Sequence, residues 1–591
     1  MSLFTAALDY ASKQFGENWH IEYAPVSKTA APTCENIQEK IVQFQFQCVR
    51  CTNDGLNNLA DNLRDILRIL SQMEDKYTSK KYLSILYKII GQTRDIESGK
   101  GERQLSYMMI HVWSEFHLTL AKFATTCFVS LGDKLQYGSW KDMKRLSQYI
   151  YEKTNDNKHP IILHCIDLMI HQLRIDNEQT MDSELSLCSR WVPRESSTKS
   201  KWLFRLLAEV YFPEFIESAL RLTDKDRKSK AYEAAKNKTY MTFARMVSSL
   251  NKRIDTIQIK MCGNRWADID HHKTTSVTLT KSRSALMNKG KKRGESSEPD
   301  RILCAEAFER YIQSRVTSGK EVKGKRVGIV DFVKQGIDLY HSSTYNNTQL
   351  EKDTINAQWK SFMSQVGDMG NIVAMVDQSG SMSGYPKHAA MGLGIAVAEK
   401  SALGKRVMTF SEEPAWVSLE DCTDFSSYIT KLQKASHLSG FGTNFFKALK
   451  LILDACIKSN VPDDVVSNMT LAIFSDMQID SRSNYLDNSL NTSASFLDRM
   501  LSMHERIKAM YSDAGYSGVP HILFWNLRHT GGFPTLSRMP NATMFSGFSP
   551  MLLNAFCEKG KEALQQQTPW ASLIDSLSNE RYTVLENKAL D

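Results

Sequence analysis

The sequence predicts an α + α/β chain, in which an all-α helical-repeat domain precedes a doubly wound, Rossmann-like α/β domain. Two patterns support this prediction. Apolar residues recur at helical spacing from residue 46 to about residue 270, with little strand-like sequence between them. From residue 371 onward, short apolar runs of β type alternate with helical segments, which is typical of a mostly parallel sheet.

The helical part has its clearest apolar stripes at residues 59–70 and 82–90. Because no fixed repeat period is visible, a HEAT-like α-solenoid and a non-repeating all-α domain explain the pattern equally well. Residues 271–300 break the pattern, since they are polar and basic and contain too few apolar residues to form a core of their own.

We therefore expect three parts. They are an N-terminal extension over 1–45, a helical repeat-like domain over 46–360 with a basic insertion around 271–330, and an α/β domain over 361–591.

The α/β part is predicted element by element. We expect strands at 371–376, 407–410, 470–474 and 521–525, and helices at 388–401, 425–434, 445–457, 494–511 and near 549–561. In a sheet of this kind, ligands bind at the carboxyl ends of the strands. The residues that follow the predicted strands are therefore the first candidates for a site.

Composition limits the class of protein. The 591 residues are 42% hydrophobic and 24% charged, as in folded globular chains, so wholesale disorder is excluded. The opening residues lack a secretory signal, no uncharged apolar window could span a membrane, and 11 scattered cysteines suggest reduced thiols. The Cys48–Cys51 pair has no second zinc-ligand pair at finger spacing, so chance placement on a helical segment is the main interpretation. We expect a soluble, cytoplasmic protein.

Charge is distributed unevenly. The net charge of +8 divides into +12 over residues 1–360 and −4 over 361–591, and residues 271–330 alone have +8. This asymmetry suggests a polyanion partner such as RNA, although a solvated loop is the other explanation of the basic stretch. Aromatic residues are nearly absent there, which argues against a base-stacking platform. The candidate nucleic-acid-binding residues are Lys289, Lys291, Lys292, Arg293, Lys320, Lys323, Lys325 and Arg326.

A candidate metal site follows the first predicted strand of the α/β part. Asp377, Ser379 and Ser381 alternate in a tight turn and offer one carboxylate and two hydroxyls. Thr443 opens a later predicted helix, and Asp476 follows the strand at 470–474. Carboxylate and hydroxyl oxygens are hard donors, which suit Mg²⁺ or Mn²⁺.

These three segments resemble, in type and order, the von Willebrand factor A domain and its metal-ion-dependent adhesion site. The resemblance covers about residues 361–591. It implies that Asp377, Ser379, Ser381, Thr443 and Asp476 are the metal-site residues. It also implies that the metal binds a protein or ligand and that no bond is broken.

Two further motifs, 93–103 (TRDIESGKGER) and 137–142 (YGSWKD), resemble the family called domain of unknown function 2828, from plants and giant viruses. Residues 524–526 and 545–549 resemble the same family. More loosely, the layout is similar to the Ro ribonucleoprotein, in which a ring of helical (TROVE) repeats closed by an A domain binds RNA. This similarity implies RNA binding by the helical part.

The Gly99-Lys100-Gly101 segment allows two interpretations. Glycines permit backbone N–H groups to approach an anion, so the segment could cradle a phosphate, but the spacing is not that of a P-loop. We favour a structural turn in which Arg94 and Arg103 pair with Asp95 and Glu102.

The sequence thus predicts a non-enzymatic protein that binds an acidic group of a protein partner through a metal, and RNA through its basic helical part. The alternative is a structural interaction protein, such as a virion component, that binds no nucleic acid. A metal-dependent phosphoryl hydrolase is disfavoured, because that chemistry normally uses more carboxylates than Asp377 and Asp476 provide.

Overall fold

The computed structural model describes residues 13–16, 20–221, 225–290, 294–341, 349–437, 444–478, 501–552, 554 and 566–591. Most of the chain is helical. In the first half the helices are α1 (Cys34–Gln47), α2 (Asn53–Gln72), α3 (Lys76–Arg94), α4 (Arg103–Phe116), α5 (Leu118–Thr126), α6 (Trp140–Thr154), α7 (Pro160–Glu178), α8 (Cys188–Trp191), α9 (Lys201–Tyr211), α10 (Pro213–Leu220), α11 (Lys225–Ile254), α12 (Ile257–Cys262) and α13 (Ser276–Leu286). In the second half they are α14 (Pro299–Thr317), α15 (Ile329–His341), α16 (Gln349–Met363), α17 (Tyr385–Lys400), α18 (Phe425–His437), α19 (Phe445–Lys458), α20 (Asp463–Ser467), α21 (Met503–Asp513), α22 (Pro569–Ser576) and α23 (Thr583–Leu590).

The strands are fewer and mostly lie in the C-terminal part. They are β1 (Lys13–Phe15), β2 (Ile21–Tyr23), β3 (Lys289–Gly290), β4 (Gly294–Glu295), β5 (Ile372–Asp377), β6 (Arg406–Phe410), β7 (Ala415–Ser418), β8 (Thr470–Ser475), β9 (His521–Asn526) and β10 (Ala542–Ser546). The prediction of a helical region followed by a largely parallel α/β sheet is confirmed.

The chain forms two compact units, which we call the sheet unit and the helical unit. The sheet unit comprises residues 1–93, 97–105 and 312–591, and the helical unit comprises residues 94–96 and 106–311. These units do not follow the predicted boundaries at residues 45 and 360, because the first helices and residues 312–360 cluster with the sheet.

The six strands of the main sheet have the order β10-β9-β8-β5-β6-β7. All neighbours are parallel except β6 and β7, which pair antiparallel from Arg406 opposite Ser418 to Thr409 opposite Ala415. Every residue of β5, β8, β9 and β10 is buried, as expected for parallel strands covered on both faces. The four predicted strands are present within two residues, whereas β7 and β10 were not predicted.

The first helix of the chain belongs to the sheet unit because it packs against the end of the sheet. Helix α1 contacts β10 and α22. The Asn526 side chain, at the end of β9, donates a hydrogen bond of 3.0 Å to the carbonyl of Phe46. The Lys100 amine is buried and donates to the carbonyls of Gln45 and Cys48 and to the Ser546 hydroxyl.

The helical unit contains a fully buried ion pair between its two signature motifs. The Arg94 guanidinium donates two hydrogen bonds, of 2.9 and 2.6 Å, to the Asp142 carboxylate. The Tyr107 hydroxyl and the Ser139 backbone N–H also donate to Asp142. A side chain at Gly138 would approach Asp142 Oδ2 to 2.6 Å, so the small residue is required there. The motif 137–142 therefore has a structural role.

The basic insertion around 271–330 contains more regular structure than predicted. Residues 276–286 form helix α13, in which Leu279 and Leu286 are completely buried. Asn288 precedes β3 and has a positive φ of 58°. Its side-chain amide donates to the carbonyl of Ser296, which follows β4, and its Oδ1 accepts from the Ser296 backbone N–H. The prediction was that residues 271–300 cannot form a core of their own, and it did not foresee this helix, which buries its few apolar side chains.

Candidate functional site at the carboxyl edge of the sheet

Two buried aspartates lie at the carboxyl ends of adjacent parallel strands. Asp377 is the last residue of β5, and Asp476 directly follows β8. Both side chains are completely buried. Because parallel neighbours end at the same edge of a sheet, this topology places the two carboxylates in one region, as the sequence predicted.

Hydrogen bonds fix the Asp377 carboxylate. Its Oδ1 accepts from the backbone N–H of Ser379 at 2.9 Å, and its Oδ2 accepts from the Ser475 hydroxyl at 2.5 Å. The Ser475 hydroxyl in turn accepts from the backbone N–H of Met477 at 3.0 Å. The hydroxyls of Ser379 and Ser381 lie 3.1 Å apart, in a 3₁₀ turn that begins at Gly380.

Asp476 is held less completely. Its Oδ1 accepts from the backbone N–H of Gln478 at 3.1 Å, and its Oδ2 accepts a single, long hydrogen bond of 3.4 Å from Arg528. Between Asp476 and Gln478, Met477 adopts a left-handed backbone with φ of 62°, which is uncommon for a residue with a side chain. This turn directs the chain after β8 so that Asp476 stays buried at the strand end.

The electrostatics of the pair favour an additional positive charge. Burial and, second, the nearby charge of Asp476 raise the pKa of Asp377 to about 7, although hydrogen bonds from Ser475 and Ser379 act in the opposite direction. Arg528 pairs with Asp476 at 3.4 Å, and the half-buried Lys387 lies close enough to Asp377 for their charges to interact. Within the described residues, however, Lys387 donates a hydrogen bond to Ser436 and no cation forms a direct ion pair with Asp377.

The donors around this edge fit a hard divalent cation. The carboxylates of Asp377 and Asp476 and the hydroxyls of Ser379, Ser381 and Ser475 are all oxygen donors, the set preferred by Mg²⁺ and Mn²⁺. Thr443, the remaining predicted ligand, lies outside the described residues. The described part of the chain contains no group of three or more His, Cys, Asp or Glu residues that could hold a metal, so a cation at this edge would need hydroxyl ligands as well as the two carboxylates.

Two buried polar side chains next to the site lack partners among the described residues. Neither the oxygen nor the nitrogen of the Gln378 amide is hydrogen-bonded there, and neither is the Ser411 hydroxyl. Gln378 follows Asp377 directly, and the Ser411 carbonyl accepts from the backbone N–H of Asn444. Buried polar atoms are normally hydrogen-bonded, so the Gln378 amide and the Ser411 hydroxyl are available to bond a further group at this edge.

Arg528 is a site residue that the sequence analysis missed. It lies two residues after β9, and β9 pairs with β8, so its position beside Asp476 follows from the strand order. The Asn526 side chain accepts a 3.1 Å hydrogen bond from the Arg528 backbone N–H and so holds the turn. The polar segment after the predicted strand at 521–525 could have indicated a site residue. The sequence alone, however, did not show which strand lies next to this one in the sheet.

The candidate nucleic-acid-binding residues fall into different parts of the fold. Lys289 is half-buried in the hairpin of the helical unit. In the sheet unit Lys320, Lys323 and Lys325 are exposed, and Arg326 forms an ion pair of 3.3 Å with Glu97. The other three candidates, Lys291, Lys292 and Arg293, lie outside the described residues.

The segment around Lys320–Arg326 is also a packed turn. A Cβ atom on Gly324 would lie 1.9 Å from the Gln358 carbonyl, and the Gln358 side chain donates to the carbonyl of Lys323. Lys325 is within 3.8 Å of Glu321. Gly324 is therefore required for packing against Gln358, and Glu321 partly neutralises the positive charge of the segment.

The Gly99-Lys100-Gly101 segment is a structural turn, as favoured, but with different ion pairs. Arg94 pairs with Asp142, and Glu102 pairs with Arg50 at 2.8 Å. Burial lowers the pKa of Lys100 to about 8. The buried Lys100 amine bonds protein carbonyls, which leaves it unsuited to cradle a phosphate.

The protein thus has a helical unit and a unit with a mostly parallel α/β sheet, and two buried aspartates lie at the carboxyl ends of adjacent strands of that sheet. Residues 165–372 match the family model "Domain of unknown function (DUF2828)", and residues 371–588 match "Domain of unknown function (DUF7788)". The chain is 27% identical over 493 residues to "Uncharacterized protein L728" of Acanthamoeba polyphaga mimivirus, which covers 80% of this chain and 76% of the viral protein. Residues 165–372 thus carry the domain of the DUF2828 family.

No solved structure matches the chain. Within the described residues, no helix is long and apolar enough to cross a membrane.

Proposed function

We propose that this protein is a non-enzymatic binding protein whose sheet unit holds Mg²⁺ or Mn²⁺ at Asp377 and Asp476 and binds an acidic group of a protein partner through that cation. The single observation that supports the proposal is the pair of completely buried carboxylates at adjacent strand ends, surrounded by serine hydroxyls. This arrangement matches what the resemblance to the von Willebrand factor A domain and its adhesion site implies.

The residues have distinct proposed roles. Asp377 and Asp476 supply negative charge, and Ser379, Ser381 and Thr443 supply neutral oxygens, so a bound divalent cation keeps affinity for a further anionic ligand. Ser475 orients the Asp377 carboxylate. Because the described residues contribute only two carboxylates, the site is better suited to binding than to two-metal phosphoryl chemistry.

A paramagnetic probe tests this function without a known partner. Mn²⁺ held in the site should broaden the γ-methylene proton signals of a short peptide with one glutamate, and the same peptide with glutamine should be unaffected. Asp377→Asn should abolish the broadening. The matched control Asp368→Asn removes an exposed carboxylate of the same unit and should change nothing.

Equal broadening by the Asp377→Asn variant, or persistence after chelation of Mn²⁺, would show that the cation at this edge does not bind the acidic group. Circular dichroism of both variants establishes that the fold is retained.

A second proposed activity is binding of RNA by the helical unit. The helical unit contains 35 basic and 26 acidic residues, a net charge of +9, whereas the remaining residues have −1. All of the net positive charge thus belongs to one unit, which favours a polyanion partner there. The loose similarity of the layout to the Ro ribonucleoprotein supports the same proposal.

The alternative is a structural protein, for instance a virion component, with protein partners only. In either case we propose a cytoplasmic location, or the virion if the protein is of viral origin. Retention of a bound nucleic acid through purification, and its loss after nuclease treatment, favours the RNA-binding function over the structural one.

A further inference from the structure

The helical unit presents a group of basic side chains around one tryptophan. We call this group the Trp191 patch, and it consists of Lys141, Lys144, Arg145, Arg190, Trp191 and Arg194. Helices α6 and α8, which supply most of it, pack against each other. The Lys141 amine lies 5.0 Å and the Arg190 guanidinium 5.5 Å from the centre of the Trp191 ring.

The Trp191 ring attracts the cations of Lys141 and Arg190 but does not neutralise them. An aromatic face attracts a cation but has no net charge of its own, unlike a carboxylate. Among the described residues, no carboxylate forms an ion pair with Lys144, Arg190 or Arg194. By contrast, the partly exposed Arg253 and the exposed Arg265 of the same unit pair with Asp182 and Asp255.

Like charges also meet in the patch. The pKa of Lys144 is lowered by partial burial and by the nearby positive charges of Arg145 and Arg194. Positions 141 and 145 are about one helical turn apart on α6, about 6 Å along its axis. Such a concentration of positive charge is stabilised when an anion binds to it.

Two further aromatic rings belong to the same unit. The ring of Trp202 on α9 is tilted by 33° to the ring of Tyr151 on α6, with centroids 4.6 Å apart, and both side chains are partly exposed. Basic residues interleaved with aromatic rings are typical of surfaces that bind single-stranded nucleic acids, in which cations follow the phosphates and rings contact bases. An acidic polypeptide would use the cations but not the rings.

We propose that the Trp191 patch binds the phosphodiester backbone of single-stranded RNA. This inference rests on the proposed RNA-binding function and gives it a location on α6, α8 and the residues that follow α8. It replaces the basic stretch at 289–326, whose two aromatic residues, Phe308 and Tyr311, are buried and whose charge is partly neutralised by Glu97 and Glu321.

The test uses the full chain and a fluorescein-labelled oligouridylate, with affinity measured by anisotropy over a series of salt concentrations. The patch variant combines Lys144→Glu, Arg145→Glu and Arg194→Glu, and the matched variant combines Lys320→Glu, Lys323→Glu and Lys325→Glu. The patch variant should bind at least about tenfold more weakly, and its salt slope should fall by about 0.7 for each lost phosphate contact. The matched variant should bind like the wild type.

A milder variant, Arg145→Gln with Arg194→Gln, changes two exposed residues and should give a smaller loss of the same kind. Normal affinity of both patch variants, while the wild type binds RNA, overturns the location but leaves RNA binding intact. Absence of binding by the wild type at low salt rejects both the location and the function. Competition by polyglutamate as strong as by unlabelled oligouridylate also overturns the proposal, and equal affinity for single-stranded DNA supports recognition of the backbone.

Discussion

Each unit of this protein contains an arginine that meets a completely buried aspartate, and the two pairs differ in how well they are satisfied. In the helical unit the Arg94 and Asp142 side chains are 4% and 0% exposed and share two short hydrogen bonds. In the sheet unit the Arg528 side chain is 44% exposed and reaches the buried Asp476 through one contact of 3.4 Å. The first carboxylate is saturated by protein donors, whereas the second keeps capacity for another cation. The difference separates a structural pair from a candidate binding site.

The largest expected effect is on the saturated pair. Arg94→Ala leaves the Asp142 carboxylate buried without its counter-charge, and we expect a loss of about 3–5 kcal/mol in the free energy of unfolding of the helical unit. Arg253→Ala, which removes an exposed ion pair of the same unit, should cost less than about 1 kcal/mol. Urea denaturation measures both, and equal losses would mean that burial does not distinguish the two pairs.

The second effect concerns cation affinity. Asp476→Asn should weaken Mn²⁺ binding by at least about a hundredfold, or about 2.7 kcal/mol, since the site loses one of its two charged ligands. It should not lower stability when metal is absent, because it also removes repulsion between two buried carboxylates. Asp142→Asn should destabilise the protein but leave Mn²⁺ affinity unchanged. Isothermal titration calorimetry measures the Mn²⁺ affinity of each variant, and urea denaturation measures its stability. Weaker Mn²⁺ binding by Asp142→Asn, with normal binding by Asp476→Asn, would contradict the roles given to the two pairs.

The third effect concerns pH and a buried histidine of the sheet unit. Burial lowers the pKa of His504 to about 3, and its Nδ1 is 2.9 Å from the Thr535 hydroxyl. Between pH 6.5 and 3 the unfolded chain therefore binds a proton that the folded chain does not, so stability falls as pH falls, by up to about 1.4 kcal/mol per pH unit. His504→Asn, which can keep the bond to Thr535, should reduce this slope. An unchanged slope in denaturation measured from pH 6 to pH 4 would show that His504 is not the cause.

The smallest effect sharpens the comparison directly. Arg528→Gln removes the positive charge that competes with a metal for Asp476, so Mn²⁺ affinity should rise about three- to tenfold, which corresponds to about 0.7–1.4 kcal/mol. Arg538→Gln, an exposed arginine paired with Glu35 in the same unit, is the matched control and should have no effect. Weaker Mn²⁺ binding by Arg528→Gln would mean that the arginine supports the cation and does not compete with it.

The sequence was most informative where local pattern determines structure. The buried apolar run that becomes β5 and the polar turn after it predicted the position of Asp377, and the run before Asp476 did the same for β8. Strand β7 was missed because it is a short, partly exposed edge strand, and its antiparallel pairing depends on β6.

Contacts between distant segments could not be predicted from one sequence. Arg94 and Asp142 are 48 residues apart, and Arg528 and Asp476 are 52 residues apart. Helix α1 has no local feature that indicates packing against β10, so the division of the chain into units was not foreseen. The Trp191 patch joins residues of two helices that only the fold brings together, whereas the basic stretch at 289–326 was conspicuous only because its residues are consecutive.

The central claim is that Asp377 and Asp476 form a divalent-cation site. An anomalous difference map from crystals of the protein soaked in Mn²⁺ tests it most directly. We expect one peak bonded to the carboxylate or hydroxyl oxygens of Asp377, Asp476, Ser379 and Ser381, with the Arg528 guanidinium displaced from Asp476. A map with no peak at this edge, and with Arg528 still in contact with Asp476 at saturating Mn²⁺, would contradict the account.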